Sequence, residues 1–323
     1  MRRTSMAAEA ENTVDSIEVV PAEAPLGVEV RGLDLTRPVP DDVKGRLVEL
    51  WGEYLVLLFR NQKLSDDDIL GVADLFGGQQ VAGSRAFFLK AGFKAGESHR
   101  VAKKAGISLV SNLDKNGKPT KETEGIGSLE AYWHTDNSYV DVPPSGTLLW
   151  SEIVPTNGGG ETSFNNQYQA YDELSDELKE LIEGKHICHD NLRNTAGKLR
   201  PTAQEPESRE EITGPAHPIV RIHPLTGRKC LFLGRRYEGK SSYIAEMPDE
   251  DGDAVLEQLW AHATQDHLKW THDWQPHDLI LWDNRCTMHQ RNPVDHTQAR
   301  VMHRALVKGE PIISAWGNQA AAE

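Results

Sequence analysis

His134 and Asp136 stand two residues apart, and His289 is followed eleven and fifteen residues later by Arg300 and Arg304. Two imidazoles and one carboxylate are the ligand set of the facial triad that binds non-haem Fe(II) and leaves coordination positions open. Guanidinium groups are rigid forks for carboxylates. Together the five residues describe an iron site that activates oxygen with help from a small dianionic acid. His-x-Asp carries little weight alone. With 13 His among 323 residues, and Asp more common still, such a pair arises by chance, and most surface histidines bind nothing. A His with Arg at both later positions is much rarer.

The elements around these residues decide whether they can meet. Leu279-Ile280-Leu281-Trp282 is a short apolar run of the kind that forms a buried strand. A turn-rich stretch, Asn292-Pro293-Val294-Asp295, follows His289. A second strand is expected over residues 300–307. Side chains alternate along a strand, so Arg300, Met302, Arg304 and Leu306 would share one face. Val301, His303, Ala305 and Val307 would share the other. If the first face lines a cavity, its arginines need partners. No acid in the strand serves, so anionic ligands are the natural ones. The alternative places this face in water with both arginines solvated.

Several further motifs stand in order along the chain. The front end holds Leu26-Gly27-Val28-Glu29-Val30-Arg31-Gly32-Leu33-Asp34-Leu35, then Leu57-Leu58-Phe59-Arg60-Asn61-Gln62 and Leu75-Phe76-Gly77. The centre holds Trp133-His134-Thr135-Asp136-Asn137-Ser138-Tyr139, Pro143-Pro144 and Gly158-Gly159-Gly160-Glu161-Thr162. Trp282-Asp283-Asn284 leads to His289. With these motifs, residues 17–309 resemble the taurine dioxygenase and 2,4-D dioxygenase family of Fe(II)/2-oxoglutarate-dependent oxygenases.

The resemblance implies a double-stranded β-helix (jelly-roll) barrel, with Fe(II), 2-oxoglutarate and O2 as cofactor and co-substrates. It implies that His134, Asp136 and His289 are the iron ligands. Arg300 matches the position that binds the distal carboxylate of 2-oxoglutarate, and Thr162 matches a hydroxyl that helps hold it. Arg304 matches a position that can face an anionic substrate. The implied reaction hydroxylates an aliphatic C–H of a small carboxylate or sulfonate. Where the attacked carbon bears oxygen, nitrogen or sulfur, the product can collapse and break that bond. Related halogenases have a small residue at the acid position, so Asp136 favours hydroxylation. A non-catalytic jelly-roll protein that binds or senses a small acid through a metal is the alternative. A zinc hydrolase has no need for an arginine poised for 2-oxoglutarate.

Composition agrees with a folded enzyme. The apolar fraction is 38% and the charged fraction 26%. A net charge of −14 argues against nonspecific binding to nucleic acid, while allowing a local positive pocket. No apolar run approaches a membrane span, and no secretory signal is visible. Three cysteines without Cys-x-x-Cys spacing point to a reduced, cytoplasmic protein, with Cys286 in a packing role.

The expected organisation is a lead-in without structure over residues 1–15, a single domain over 16–310 and a tail over 311–323. The fold class is mainly β with flanking helices. Short strands are expected over 17–34 and 54–59. One helix should begin at a cap on Asp41 or Asp42, with Val43, Leu47, Leu50 and Trp51 inward. A second should start at Ser65. A third should span 168–183, with Leu174, Leu178, Leu181 and Ile182 in the core. Two strands should flank Thr226-Gly227 as a hairpin. His134 and Asp136 should share one side at the start of a strand. Residues 81–104 and 191–216 read as long connections without regular structure, bordering the substrate mouth. Surface helices could pair in a homo-oligomer.

Overall fold

The alternation of side chains along the central strands gives two apolar faces to one sheet. This sheet runs in the order Glu18–Pro21, Val28–Arg31, Val56–Phe59, Leu279–Asp283, Gly146–Ile153, Val301–Val307 and Gln79–Gln80, with Ile107–Ser111 also paired to Val301–Val307. Leu57, Phe59, Leu279, Leu281, Leu148, Ala305 and Val307 face one core, shared with Val43, Leu47, Leu50 and Trp51 of the first helix. Val56, Leu58, Ile280, Trp282, Leu149 and Met302 face a second core, shared with Phe164 and Trp270 of the other sheet. Fully burying a side chain of this size is worth about 1.5–3 kcal/mol, so a one-residue slip in register would be heavily penalised.

The structure is a computed structural model and describes residues 11–317 apart from 91, 98–100, 124–125, 201–202 and 213. The second sheet has the order Lys269–His272, Thr162–Asn166, Thr287–Arg291 and Ala131–His134. It faces the first across the shared core. The protein is therefore mainly β with flanking helices, a jelly roll of two facing sheets. Among the described residues the jelly roll is seen as two facing sheets that do not join in one closed ladder. No helix of the described residues is long and apolar enough to cross a membrane.

Several local expectations change. The first helix spans Asp41–Tyr54 with Pro40 at its N-cap, so Asp41 and Asp42 sit in its first turn and do not cap it. Ser65 does cap Asp66–Leu75, accepting from the Asp68 N–H. The single helix expected over 168–183 is two, Gln167–Asp172 and Asp176–Leu181. Ser175 caps the second and breaks the run, because its hydroxyl accepts the Leu178 N–H. Leu174 and Ile182 are buried as expected, but the break turns Leu181 outward to 39% exposure. The hairpin forms from Val220–Ile222 and Lys229–Leu231.

Residues 83–90 of the first long connection form a helix, while 91 and 98–100 lie outside the described residues. Described residues on either side of the central elements also make contacts with them. Asn12 is buried, its amide donating to the carbonyls of Asp34 and Pro38. Ile313–Ser314 adds a strand beside Val220–Ile222.

Candidate active site

His134 and His289 meet because their strands are antiparallel neighbours. The two residues are direct partners in the ladder, and their rings lie 4.1 Å apart between centroids. His134 is the last residue of its strand, not near its start, and Asp136 follows in a turn. Asn137 completes that turn with a left-handed φ of 48°, a conformation asparagine tolerates. Asn284 then fixes the Asp136 backbone from both sides. Its Oδ1 accepts the Asp136 N–H at 2.8 Å, and its Nδ2 donates to the Asp136 carbonyl at 2.8 Å. The same Nδ2 donates to the Pro144 carbonyl at 3.0 Å.

One donor atom from each of His134, Asp136 and His289 lies within 4.8 Å of the others, and all three residues are buried. His134 Nδ1 sits 2.7 Å from the Tyr132 carbonyl, so it carries the proton and donates. Its Nε2 lies 3.7 Å from Asp136 Oδ1. This backbone anchor is the usual partner of a metal-binding histidine. Burial opposes ionisation of Asp136, yet the Arg304 guanidinium and the two imidazoles hold its carboxyl well below the usual range. Burial, reinforced by His134, keeps the pKa of His289 well below its ordinary value and hence the ring neutral. His289 Nδ1 has no partner among the described residues. Two imidazoles and one carboxylate, converging on one point, fit a divalent iron ion.

The arginines part company. Arg304 reaches Asp136, with Nη1 donating to Oδ1 at 3.3 Å, while Thr147 Oγ1 donates to Oδ2 at 3.0 Å. The partner that the strand itself lacks thus comes from another element. Arg300 is buried elsewhere, against the turn leading into Thr162. Its backbone is bracketed by Asn112, which accepts its N–H and donates to its carbonyl. Nε and Nη2 of Arg300 have no partner among the described residues. Burial and the nearby Arg291 push its guanidinium well below its usual range, opposed in part by Glu161. A Cβ on Gly160 (φ 80°) would sit 3.0 Å from Arg300 Nε, so only glycine lets the turn approach so closely.

Thr162 lies in the adjoining strand opposite Arg291, two residues from Phe164, which is opposite His289. Its hydroxyl accepts from Trp274 Nε1 at 2.9 Å, which leaves the hydroxyl proton available to an anion.

A cavity of about 310 Å³ opens beside Asp136 and Arg304. Phe88 and Val101 from the first long connection and Leu199 and Arg200 from the second line it. Arg235 and Tyr139 line it too, and neither stood out in the sequence. Tyr139 lay within a quoted motif without a role, as did Asn284. Nothing local marks Thr147 or Arg235: their roles depend on neighbours far away in the chain.

A buried His-Asp-His cluster on a two-sheet jelly roll, opening onto a cationic cavity, defines a mononuclear metal oxygenase. The model of the Taurine catabolism dioxygenase TauD, TfdA family matches residues 18–306, and the chain belongs to this family of 2-oxoglutarate-dependent dioxygenases. It is 30% identical over 301 residues to the (S)-phenoxypropionate/α-ketoglutarate-dioxygenase of Sphingobium herbicidovorans, covering 92% of this chain and 96% of that one. It is 30% identical over 289 residues to the α-ketoglutarate-dependent 2,4-dichlorophenoxyacetate dioxygenase of Cupriavidus pinatubonensis, covering 88% and 95%. The solved structure of AAD-2 in complex with Mn(II) and N-oxalylglycine matches with a TM-score of 0.74 at 31% identity, covering 92% and 99%. The protein is an oxidoreductase that uses Fe(II), 2-oxoglutarate and O2.

Proposed function

We propose that this dioxygenase hydroxylates an aliphatic C–H of a small carboxylate or sulfonate, with collapse of the product where the attacked carbon bears oxygen, nitrogen or sulfur. His134, Asp136 and His289 hold the iron. Arg300 and Thr162 hold the distal carboxylate of 2-oxoglutarate: a buried guanidinium whose Nε and Nη2 have no partner among the described residues, and a free hydroxyl proton, suit that anion. When bound, Fe(II) and 2-oxoglutarate supply the oxygen activation. The chain supplies placement, a fixed histidine tautomer and walls that exclude water.

The observation that carries the substrate class is Arg304. It stands at the cavity wall with its guanidinium against the carboxylate of an iron ligand, so an anion bound there is held beside the metal. The phenoxypropionate and 2,4-dichlorophenoxyacetate dioxygenases among the relatives act on anions of this kind.

Succinate formation from 2-oxoglutarate tests this, with Fe(II) and O2, across carboxylates, sulfonates, sulfate esters and aryloxy acids. Turnover confined to anionic members is expected; turnover of neutral compounds alone would refute the assignment. Arg304→Leu should raise the KM of the active substrate by about 10- to 100-fold, while 2-oxoglutarate binding changes little. Equal losses for both ligands would contradict that division.

A further inference from the structure

The cavity beside Asp136 holds more positive charge than one carboxylate or sulfonate uses. Among the described residues Asp136 is the only acid that lines it, and Arg304 already contacts that acid. Arg235 lines the same cavity and is only 2% exposed. Its Nη1 donates to the Arg193 carbonyl at 3.1 Å, and its Nε has no partner among the described residues. Burial works against its charge, while Tyr237, Tyr139, Asp136 and Asp190 favour it and hold the guanidinium above its ordinary range, but neither acid makes an ion pair with it. The Tyr139 ring lies 4.6 Å from its guanidinium. Arg200 stands 5.4 Å from the same ring and donates to the Tyr139 hydroxyl at 3.3 Å. Arg200 has no acid partner either among the described residues, whereas Lys198 nearby is spent on Glu122 at 2.8 Å.

A partly exposed arginine such as Arg200 can be satisfied by water. A buried guanidinium without a carboxylate cannot, and an anionic ligand is its natural complement. Tyrosine stacking orients the fork but brings no full negative charge. The rest of the lining includes Val101, Ile107 and Leu109, which suit hydrocarbon.

We propose that Arg235 is a second anion-binding residue of the substrate cavity, so that the substrate carries two anionic groups joined by an apolar spacer. One group is directed to Arg304 and the other to the stack of Arg235, Tyr139 and Arg200. This proposal rests on the assignment of an anionic substrate to Arg304 and specifies it further.

The test uses the protein loaded with Mn(II) and N-oxalylglycine, so that the 2-oxoglutarate site is filled and no turnover occurs. Isothermal titration compares α,ω-dicarboxylates of increasing length with monocarboxylates of equal length, and 4-carboxyphenoxyacetate with phenoxyacetate. At a matching length the diacid should bind about tenfold or more tightly than its monoacid. Arg235→Gln should erase that advantage while the Kd values for the monoacid and for N-oxalylglycine stay within about twofold. Arg235→Lys should restore part of it.

Monoacids that bind as well as every diacid overturn the proposal, and so does an Arg235→Gln variant that weakens both series alike. Should Arg235→Gln lose N-oxalylglycine binding through misfolding, Arg200→Gln carries the same comparison, with a smaller expected loss of the diacid advantage; an unchanged advantage there counts against the proposal. Failure of both series to bind wild type would instead overturn the anionic-substrate assignment itself.

Discussion

Among the described residues, two buried clusters have the composition of a metal site. His134, Asp136 and His289 form one, and His223, Asp283 and Cys286 form the other, each with its donor atoms within 4.8 Å of one another. Their chemistry is opposite. Asp283 receives Arg285 through Nε at 2.8 Å and Nη2 at 2.6 Å, and His223 Nε2 lies 2.9 Å from its Oδ2. Burial opposes its charge, but Arg285 and His223 hold its carboxyl far below the usual range. Burial drives the Cys286 thiol well above its ordinary value, so it stays protonated. Every strong acceptor there is spent.

Among the described residues the Asp136 carboxylate has long contacts from Arg304 and His134 Nε2 and one from a hydroxyl, and it faces a cavity. Ligand types in proximity do not make a metal site; unspent lone pairs and a way in do.

The contrast can be broken by removing each acid in turn. Asp136→Ala should reduce succinate formation to below about one-thousandth of wild type, because the proposed metal ligand is lost. Its urea midpoint should move little, since Arg304 keeps access to solvent in the cavity. Asp283→Ala should do the reverse and destabilise the fold by about 3–5 kcal/mol in urea, leaving His223 buried without its carboxylate and Arg285 with only the exposed Glu310. A normal midpoint for Asp283→Ala would erase the distinction between closed and open clusters.

The contrast is sharpened at Asn284, which stands next to Asp283 in sequence but serves Asp136. Asn284→Ala should weaken metal affinity by about 10- to 100-fold, read by Mn(II) titration, because the turn carrying Asp136 loses both backbone clamps.

The smallest expected effect lies on the other face of the Arg304 strand. His303 Nδ1 is 2.6 Å from Asp66 and Nε2 is 3.0 Å from Glu152. Burial alone would lower its pKa, but these two carboxylates raise it above the ordinary 6.5. Its stabilising contribution is fully present below the unfolded value and is lost as pH rises through the raised folded value. His303→Gln should therefore cost about 1 kcal/mol near pH 6 and much less near pH 9, measured by thermal unfolding at each pH. An equal cost at both would show that the site is held by packing alone.

Much of this was legible in the chain. Period-two alternation placed Met302, Arg304 and Leu306 on one side of a strand and Ala305 and Val307 on the other, and the two cores respect that division. The apolar run at 279–282 and the cap at Ser65 were equally direct. Less legible was the break at Ser175, where helical spacing continues but a hydroxyl competes for the backbone. The position of Asp136 beyond its strand was also hidden, because it depends on Asn284 from 148 residues away.

The amino-acid sequence by itself determined the inventory: which residues can ligate, which can bind anions, and which faces of the strands are apolar. These follow from side-chain chemistry and from two short periodicities, both local properties. Only the tertiary structure decided which polar groups are already satisfied. It matched Asp283 with Arg285 and His223, and left Asp136, His289, Arg300 and Arg235 with capacity to spare. Satisfaction is a property of neighbours in space, and in this fold those neighbours come from distant parts of the chain.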